Sequence, residues 1–139
     1  IDKLVGVKEL ILQPQSELDL VRKLLERLNY NIITEKMLID DGKYYVVMRA
    51  VYVKDKSGEL NQVNEYNEDI EEAHYLYGKY LLVNKDPVLH QFLLQQKEVL
   101  SNIKDKLIHT HTINAKNRLE EVKREIRFVD VALSYYKNK

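Results

Sequence analysis

Residues Leu10–Ala50 read "LILQPQSELDLVRKLLERLNYNIITEKMLIDDGKYYVVMRA", and the order of apolar runs and breakers in them decides the fold class. "LIL" (Leu10–Leu12) is apolar at successive positions, so a strand over residues 7–13 is apolar on both faces, as in a buried parallel strand. Pro14 has no N–H to give a ladder and ends that strand. Ser16 then offers an N-cap oxygen, with Asp19 three residues later near the capping-box position. Leu18, Val21, Leu25 and Leu28 fall on one helical face, with Arg22, Lys23, Glu26 and Arg27 elsewhere. Asn29, which tolerates a left-handed C-terminal position, closes the helix. Two β-rich runs follow, "NIITEKMLI" (Asn31–Ile39) and "KYYVVMRAVYV" (Lys43–Val53), around the Asp41-Gly42 pair that marks a tight hairpin. Residues 7–53 therefore spell strand–helix–strand–turn–strand. A right-handed crossover sets the strand at 31–39 parallel to the first, and the antiparallel third strand returns between them.

The last third carries a different period. Asp86 and Pro87 read as N-cap and first helical position. Leu89, Leu93, Gln96, Leu100, Ile103 and Leu107 then repeat at 4-3-4-3-4 spacing, and after "HTHTIN" Ala115, Leu119, Val122, Ile126, Val129, Leu133 and Tyr136 repeat at 4-3-4-3-4-3. Both are heptad registers, and the short connection forces an antiparallel coiled-coil hairpin with Gln96 as its one polar intruder. Between the two patterns, residues 54–72 are polar and acidic and read as a solvated loop with a short helix.

Composition narrows the function classes. The chain has 139 residues, 32% of them charged and 45% hydrophobic, which describes an ordinary folded chain of one domain or a little more. No apolar run is long enough to span a bilayer and no signal-peptide pattern occurs, so no membrane partner is expected. Cysteine is absent, which excludes disulfides and thiolate metal sites and fits a reducing, cytoplasmic setting. Formal charge is zero overall but uneven, −3 over residues 1–85 and +3 over residues 86–139. That bias permits contact of the second part with nucleic acid without demanding it.

Few residues announce chemistry. There is no glycine-rich phosphate loop, metal-ligand cluster or serine or cysteine nucleophile motif. His109 and His111 sit at the hairpin tip with i, i+2 spacing, which would not place them on one helical face, and loop polarity is the plainer reading than a metal site. His74 and His90 stand alone. The tyrosines of "YLYGKY" and "YY" have the shape to stack on bases, and equally that of core or rim residues joining an apolar ring to a wet hydroxyl.

The wording of these motifs resembles the bacterial tRNA adenine-22 N(1)-methyltransferases, a family with a Rossmann-like catalytic domain followed by a coiled-coil domain. The family pattern runs leucine-rich strand, Gln-Pro-Asn, Leu-Arg helix, Gly-aromatic-x-Ile, a glutamate strand and Gly-Lys-x-Tyr. Leu10, Ile11, Leu12, Gln13, Pro14, Arg22, Tyr30, Ile32, Glu35, Gly42, Lys43 and Tyr45 match it here. "YGKYLL" (Tyr77–Leu82) is similar to the family's Phe-Gly-Pro-x-Leu-Leu. Gln15 stands for the family's asparagine, Asn29 for its glycine and Lys79 for its proline.

The resemblance implies an α/β fold, with residues 1–85 as the later part of a Rossmann-like methyltransferase sheet and 86–139 as a helical hairpin that binds tRNA. It implies methyl transfer from S-adenosylmethionine to N1 of an adenine by the full-length enzyme. Because the family's donor-binding strand and loop are expected upstream of Ile1, this chain alone is expected to bind no donor, to be inactive and to contain no assignable catalytic residue. Gln13 and Pro14 end a parallel strand, where open α/β sheets hold ligands. There Gln13 either hydrogen-bonds a base edge while Pro14 stiffens the turn, or is solvated beside a simple strand terminator. Lys97, Lys104, Lys106, Lys116, Arg118, Lys123, Arg124 and Arg127 lie largely off the heptad seam. They are the phosphate contacts this reading offers, or, interleaved with glutamates, a solvated coiled-coil surface. A bare edge on the first strand is expected to promote self-association. The competing reading is a stand-alone interaction module whose hairpin binds a protein or RNA.

Overall fold

The computed structural model describes residues 7–54 and 67–137. Most of the expected 54–72 loop lies outside the described residues. The first strand, β1, spans Glu9–Leu12, and helix α1 spans Leu18–Arg27. Strands β2 (Tyr30–Asp40) and β3 (Lys43–Tyr52) form the hairpin, and the sheet order is β1-β3-β2 with both pairings antiparallel. β1 and β2 thus run parallel on either side of β3, as the crossover argument requires. Asp41 (φ 52°) and Gly42 (φ 75°) are both left-handed between the Asp40–Lys43 pair. That is the two-residue turn whose twist suits a hairpin.

Entry into α1 differs from expectation. Its N-cap is Glu17, at φ 53°, with no side-chain cap, instead of Ser16. The left-handed Glu17 turns the chain after Pro14, and Asp19 supplies the negative charge near the helix N-terminus. At the other end Asn29 takes φ 69°. The left-handed geometry explains why the family pattern has glycine at this position and why asparagine can replace it.

Helix α2 (Glu68–Tyr77) is capped by Asn67, whose side chain accepts from the Asp69 and Ile70 amides. Gly78 joins it to the short α3 (Lys79–Val83). Lys79 is the first residue of α3, where a missing N–H costs nothing, so the family's proline fits there too. Lys85 (φ 54°) then ends α3, with Lys85 and Asp86 amides donating back to the Leu82 and Leu81 carbonyls.

The two long helices are α4 (Pro87–Ile108) and α5 (Ile113–Leu133), continued by a 3-10 turn at Ser134–Tyr136. Asp86 caps α4 through the Leu89 amide and Thr112 caps α5 through the Ala115 amide. Their antiparallel sense shows in the Tyr136 hydroxyl donating to the Asp86 carbonyl and in the Lys97–Asp130 ion pair. Leu89, Leu93, Leu100, Val122 and Val129 are buried at heptad spacing. Phe128 and Ala132, off that register, are buried as well, and α5 also packs against α2. A helix with neighbours on two sides needs more than one apolar stripe.

One continuous core joins the inner face of the sheet (Val46, Met48, Ala50, Met37) to Leu25, Leu81, Leu82 and the α4–α5 seam. Tyr44 reaches α4 by an edge contact with Phe92 and by donating to the Gln95 side chain. The outer face of the sheet keeps Ile11 (70% exposed) and Leu38 open among the described residues.

Candidate substrate site and nucleic-acid interface

The carboxyl end of β1 is set by register. Leu12 pairs with Met48, and Met48 pairs with Glu35, so these three side chains form a row on one sheet face. Strict alternation along β2 would not bring Tyr30, Ile32, Glu35 and Met37 to the same side. A bulge between Ile32 and Thr34 makes up the missing phase: Ile32 pairs with Ala50 and Thr34 with Arg49. The extra residue turns Glu35 inward, the effect a bulge has beside functional sites.

There Glu35 meets Arg22. The guanidinium donates twice to Glu35 Oε1, from Nε at 3.0 Å and from a terminal nitrogen at 2.6 Å, and once to the Tyr75 carbonyl near the end of α2 at 2.6 Å. The side chains are 4% and 1% exposed. Burial pushes the Glu35 carboxyl above the usual carboxylate range, and the Arg22 charge pulls against it. Gly78 (φ 94°) closes the other side: a Cβ there would lie 2.8 Å from Glu35 Oε2 and 3.0 Å from the guanidinium. Arg22, Glu35 and Gly78 come from three separate motif segments and meet in one cluster that ties α1, β2 and α2 together. Arg22 does not lie on the solvent side of α1 as expected. It stands four residues from Leu18 and three from Leu25, on the apolar stripe itself, and that spacing was the available signal.

Gln13 and Pro14 leave β1 directly after the Leu12–Met48–Glu35 row. Gln13 is exposed with its amide unpartnered among the described residues, and Pro14 is half-buried. The structure therefore puts a free amide at a strand end braced by the buried ion pair.

Tyr75, Tyr77, Tyr135 and Tyr136 serve packing, while Tyr80 is exposed. Tyr75 donates to Glu26 of α1, and Tyr77 is largely buried, its hydroxyl pKa pushed up to about 12 by burial. Tyr135 pairs with His74 at 2.6 Å, and Tyr136 stacks on His90 with ring centroids 4.3 Å apart. Burial, aided by the Lys79 charge, holds the His74 imidazole below its ordinary pKa. His109 and His111 are exposed at the hairpin tip, and no metal-binding group of three or more such side chains occurs among the described residues.

The eight basic residues separate into two groups. Midway along the two helices, Lys97 pairs with Asp130 and Lys123 with Glu120, and nearer the base Arg127 pairs with Asp69 of α2. Arg118 pairs with Glu121 and Glu125 on its own helix, and Arg124 lies over the Phe128 ring. Lys104, Lys106 and Lys116 make no ion pair among the described residues. An open groove between α2 and α5, lined by Ile70, Ile126 and Val131, has Lys123 and Arg127 on its rim. None of the described helices is long and apolar enough to cross a membrane.

Comparison with known proteins agrees with the motif order. A family model described as TrmK, tRNA (adenine(22)-N(1))-methyltransferase, matches residues 1–131. No curated protein matches the sequence. Among solved structures, an uncharacterized protein from Listeria monocytogenes serotype 4b superimposes with a TM-score of 0.78 at 21% identity, over 95% of this chain and 54% of that one. The B. subtilis M1A22 tRNA methyltransferase TrmK does so with a TM-score of 0.73 at 26% identity, over 95% and 54%. TrmK of M. capricolum, solved with S-adenosyl-homocysteine, gives 0.65 at 18% identity, over 98% and 55%. The chain spans about half the length of these relatives. These matches do not support reading it as a free-standing interaction module.

Proposed function

From the premise that this chain belongs to the tRNA (adenine(22)-N(1))-methyltransferase family, we propose that it supplies the substrate-recognising part of a cytoplasmic enzyme that methylates N1 of an adenine in tRNA. The observation that carries this reading is the family match over residues 1–131 in a chain half as long as its structural relatives. In the reading, residues 1–85 complete a Rossmann-like methyltransferase sheet and residues 86–139 form the tRNA-binding hairpin. S-adenosylmethionine, the methyl donor, is held by parts of the enzyme beyond the described residues.

The chemistry asks little of acid–base groups here. Adenine N1 already carries a lone pair, so the protein must extrude the base, align N1 with the donor methyl and exclude water. Gln13 has a free amide to hydrogen-bond a base edge, and Pro14 limits the conformations of the turn that carries it. Arg22, Glu35 and Gly78 act as positioning residues by fixing α1 against β2 beneath that turn. The hairpin cations contribute phosphate contacts that hold register without reading sequence.

In isolation, the chain pairs with a second copy of itself along β1. Its outer neighbour position is unfilled among the described residues, and Ile11 beside it is exposed. Calorimetry with S-adenosylmethionine tests the central assignment. The purified chain is expected to show no saturable donor binding and no tRNA methylation; stoichiometric donor binding or turnover would overturn it.

A further inference from the structure

We propose that the tip of the α4–α5 hairpin, and not its base, is the phosphate-binding surface for RNA. The proposal rests on the tRNA reading above and locates the contact within it. The net charge of the hairpin is concentrated at the tip: residues 101–119 carry four Lys+Arg against one Asp, whereas residues 86–100 carry one against two. What distinguishes the tip further is the availability of three of those charges, Arg118 alone being paired, with Glu121 and Glu125. From mid-helix toward the base, the Lys97, Lys123 and Arg127 head groups sit within 2.7 to 3.8 Å of carboxylates, so a phosphate would have to displace Asp130, Glu120 or Asp69. Near the tip, Lys104, Lys106 and Lys116 have no such competitor among the described residues, and Lys106 and Lys116 are exposed.

Geometry points the same way. The side chain of α4 that hydrogen-bonds the sheet hairpin is Gln95, and fourteen residues of helix separate it from the tip at His109. That is about 21 Å of helix at the standard rise. An arm of this length holds a polynucleotide away from the sheet end where one base is presented. The loop adds donors and apolar surface: His109 and His111 are exposed, and Ile113, in the first turn of α5, is 77% exposed. Ile108, at the end of α4, is exposed beside it.

Two charge-neutralised variants of this chain separate tip from base: K104Q/K106Q/K116Q and K97Q/K123Q/R127Q. Glutamine keeps most of each aliphatic stem, and circular dichroism melts establish that both fold. Filter binding of an unmodified tRNA transcript is followed between about 50 and about 200 mM salt. Each duplex phosphate that a variant no longer neutralises flattens the log–log salt slope by about 0.9. The tip variant is expected to flatten it by about two to three units and the base variant by less than about one. A flattened slope in the base variant with the tip variant unchanged would overturn the tip assignment and leave the tRNA reading standing. Salt-independent binding, or no binding, by the parent chain would overturn both.

Discussion

In α4 and α5, Leu93, Leu100, Val122 and Val129 recur at heptad spacing and are buried in the seam between two consecutive helices. In β1–β3, by contrast, burial is assembled from distant segments. The inner face is covered by α1, α3 and α4, the outer face keeps Ile11 and Leu38 exposed, and one ion pair between Arg22 and Glu35 is enclosed where three elements meet. The hairpin stores its instructions locally. The sheet depends on residues that the sequence keeps 13 to 56 positions apart, Arg22 with Glu35 and Arg22 with Gly78.

The largest expected effect follows from Gly78. Replacing it with alanine puts a Cβ into the Glu35 carboxylate and holds a non-glycine residue at φ 94°. Strain and displacement of the ion pair together are expected to cost about 4 kcal/mol or more, a large part of the stability of a small domain. Urea titration of Gly78→Ala measures it, and near-parental stability would show that the cluster does not hold the sheet to the helices.

Breaking the pair directly comes next. Glu35→Ala is expected to cost about 3–5 kcal/mol, because it leaves a guanidinium buried without its counter-charge. Arg22→Met combined with Glu35→Leu should recover most of that stability, since a packed apolar pair needs no desolvation of charge. A double variant as unstable as Glu35→Ala would assign the effect to packing and not to the uncompensated charge. The hairpin responds differently: Leu100→Ala should cost about 2–4 kcal/mol through cavity formation. The damage should show first as faster amide exchange in α4 and α5, with β2–β3 exchange nearly unchanged, which would sharpen the contrast between a local and a non-local core.

A smaller effect is expected from pH. His74 is held below its ordinary pKa by burial and by Lys79, so between the folded and unfolded values the unfolded chain binds more protons. The stability it contributes is full above the unfolded value, about 6.5, and falls as pH drops toward the folded one. His74→Gln should flatten the melting-temperature profile between about pH 7 and pH 5 relative to the parent. An unchanged profile would remove His74 from the account.

The same contrast explains what could be read before the structure. The Asp41-Gly42 turn, the left-handed Asn29, the Asp86-Pro87 cap and the two heptad stripes are local signals, and each appears where its chemistry puts it. Ser16 is not the N-cap, because Glu17 takes the left-handed turn that no propensity flags. Arg22 is buried although it is charged, and only its spacing from Leu18 and Leu25 hinted at that. The bulge between Ile32 and Thr34 could not be read from alternation, since it is the break in alternation that turns Glu35 inward. For the candidate interface, the sequence named eight cations but not which of them already had partners; Asp69, the partner of Arg127, comes from a different helix 58 positions away.

Lysine-reactivity footprinting of this chain, with and without tRNA, tests the division of labour between sheet and hairpin most directly. Acylation read by mass spectrometry at each lysine reports which head groups an RNA covers. Lys104, Lys106 and Lys116 are expected to lose reactivity on tRNA addition, in a manner reversed by salt, while Lys97 and Lys123 change little. Protection confined to the sheet lysines Lys36 and Lys43, with the tip lysines unchanged, would contradict the assignment of RNA recognition to the hairpin.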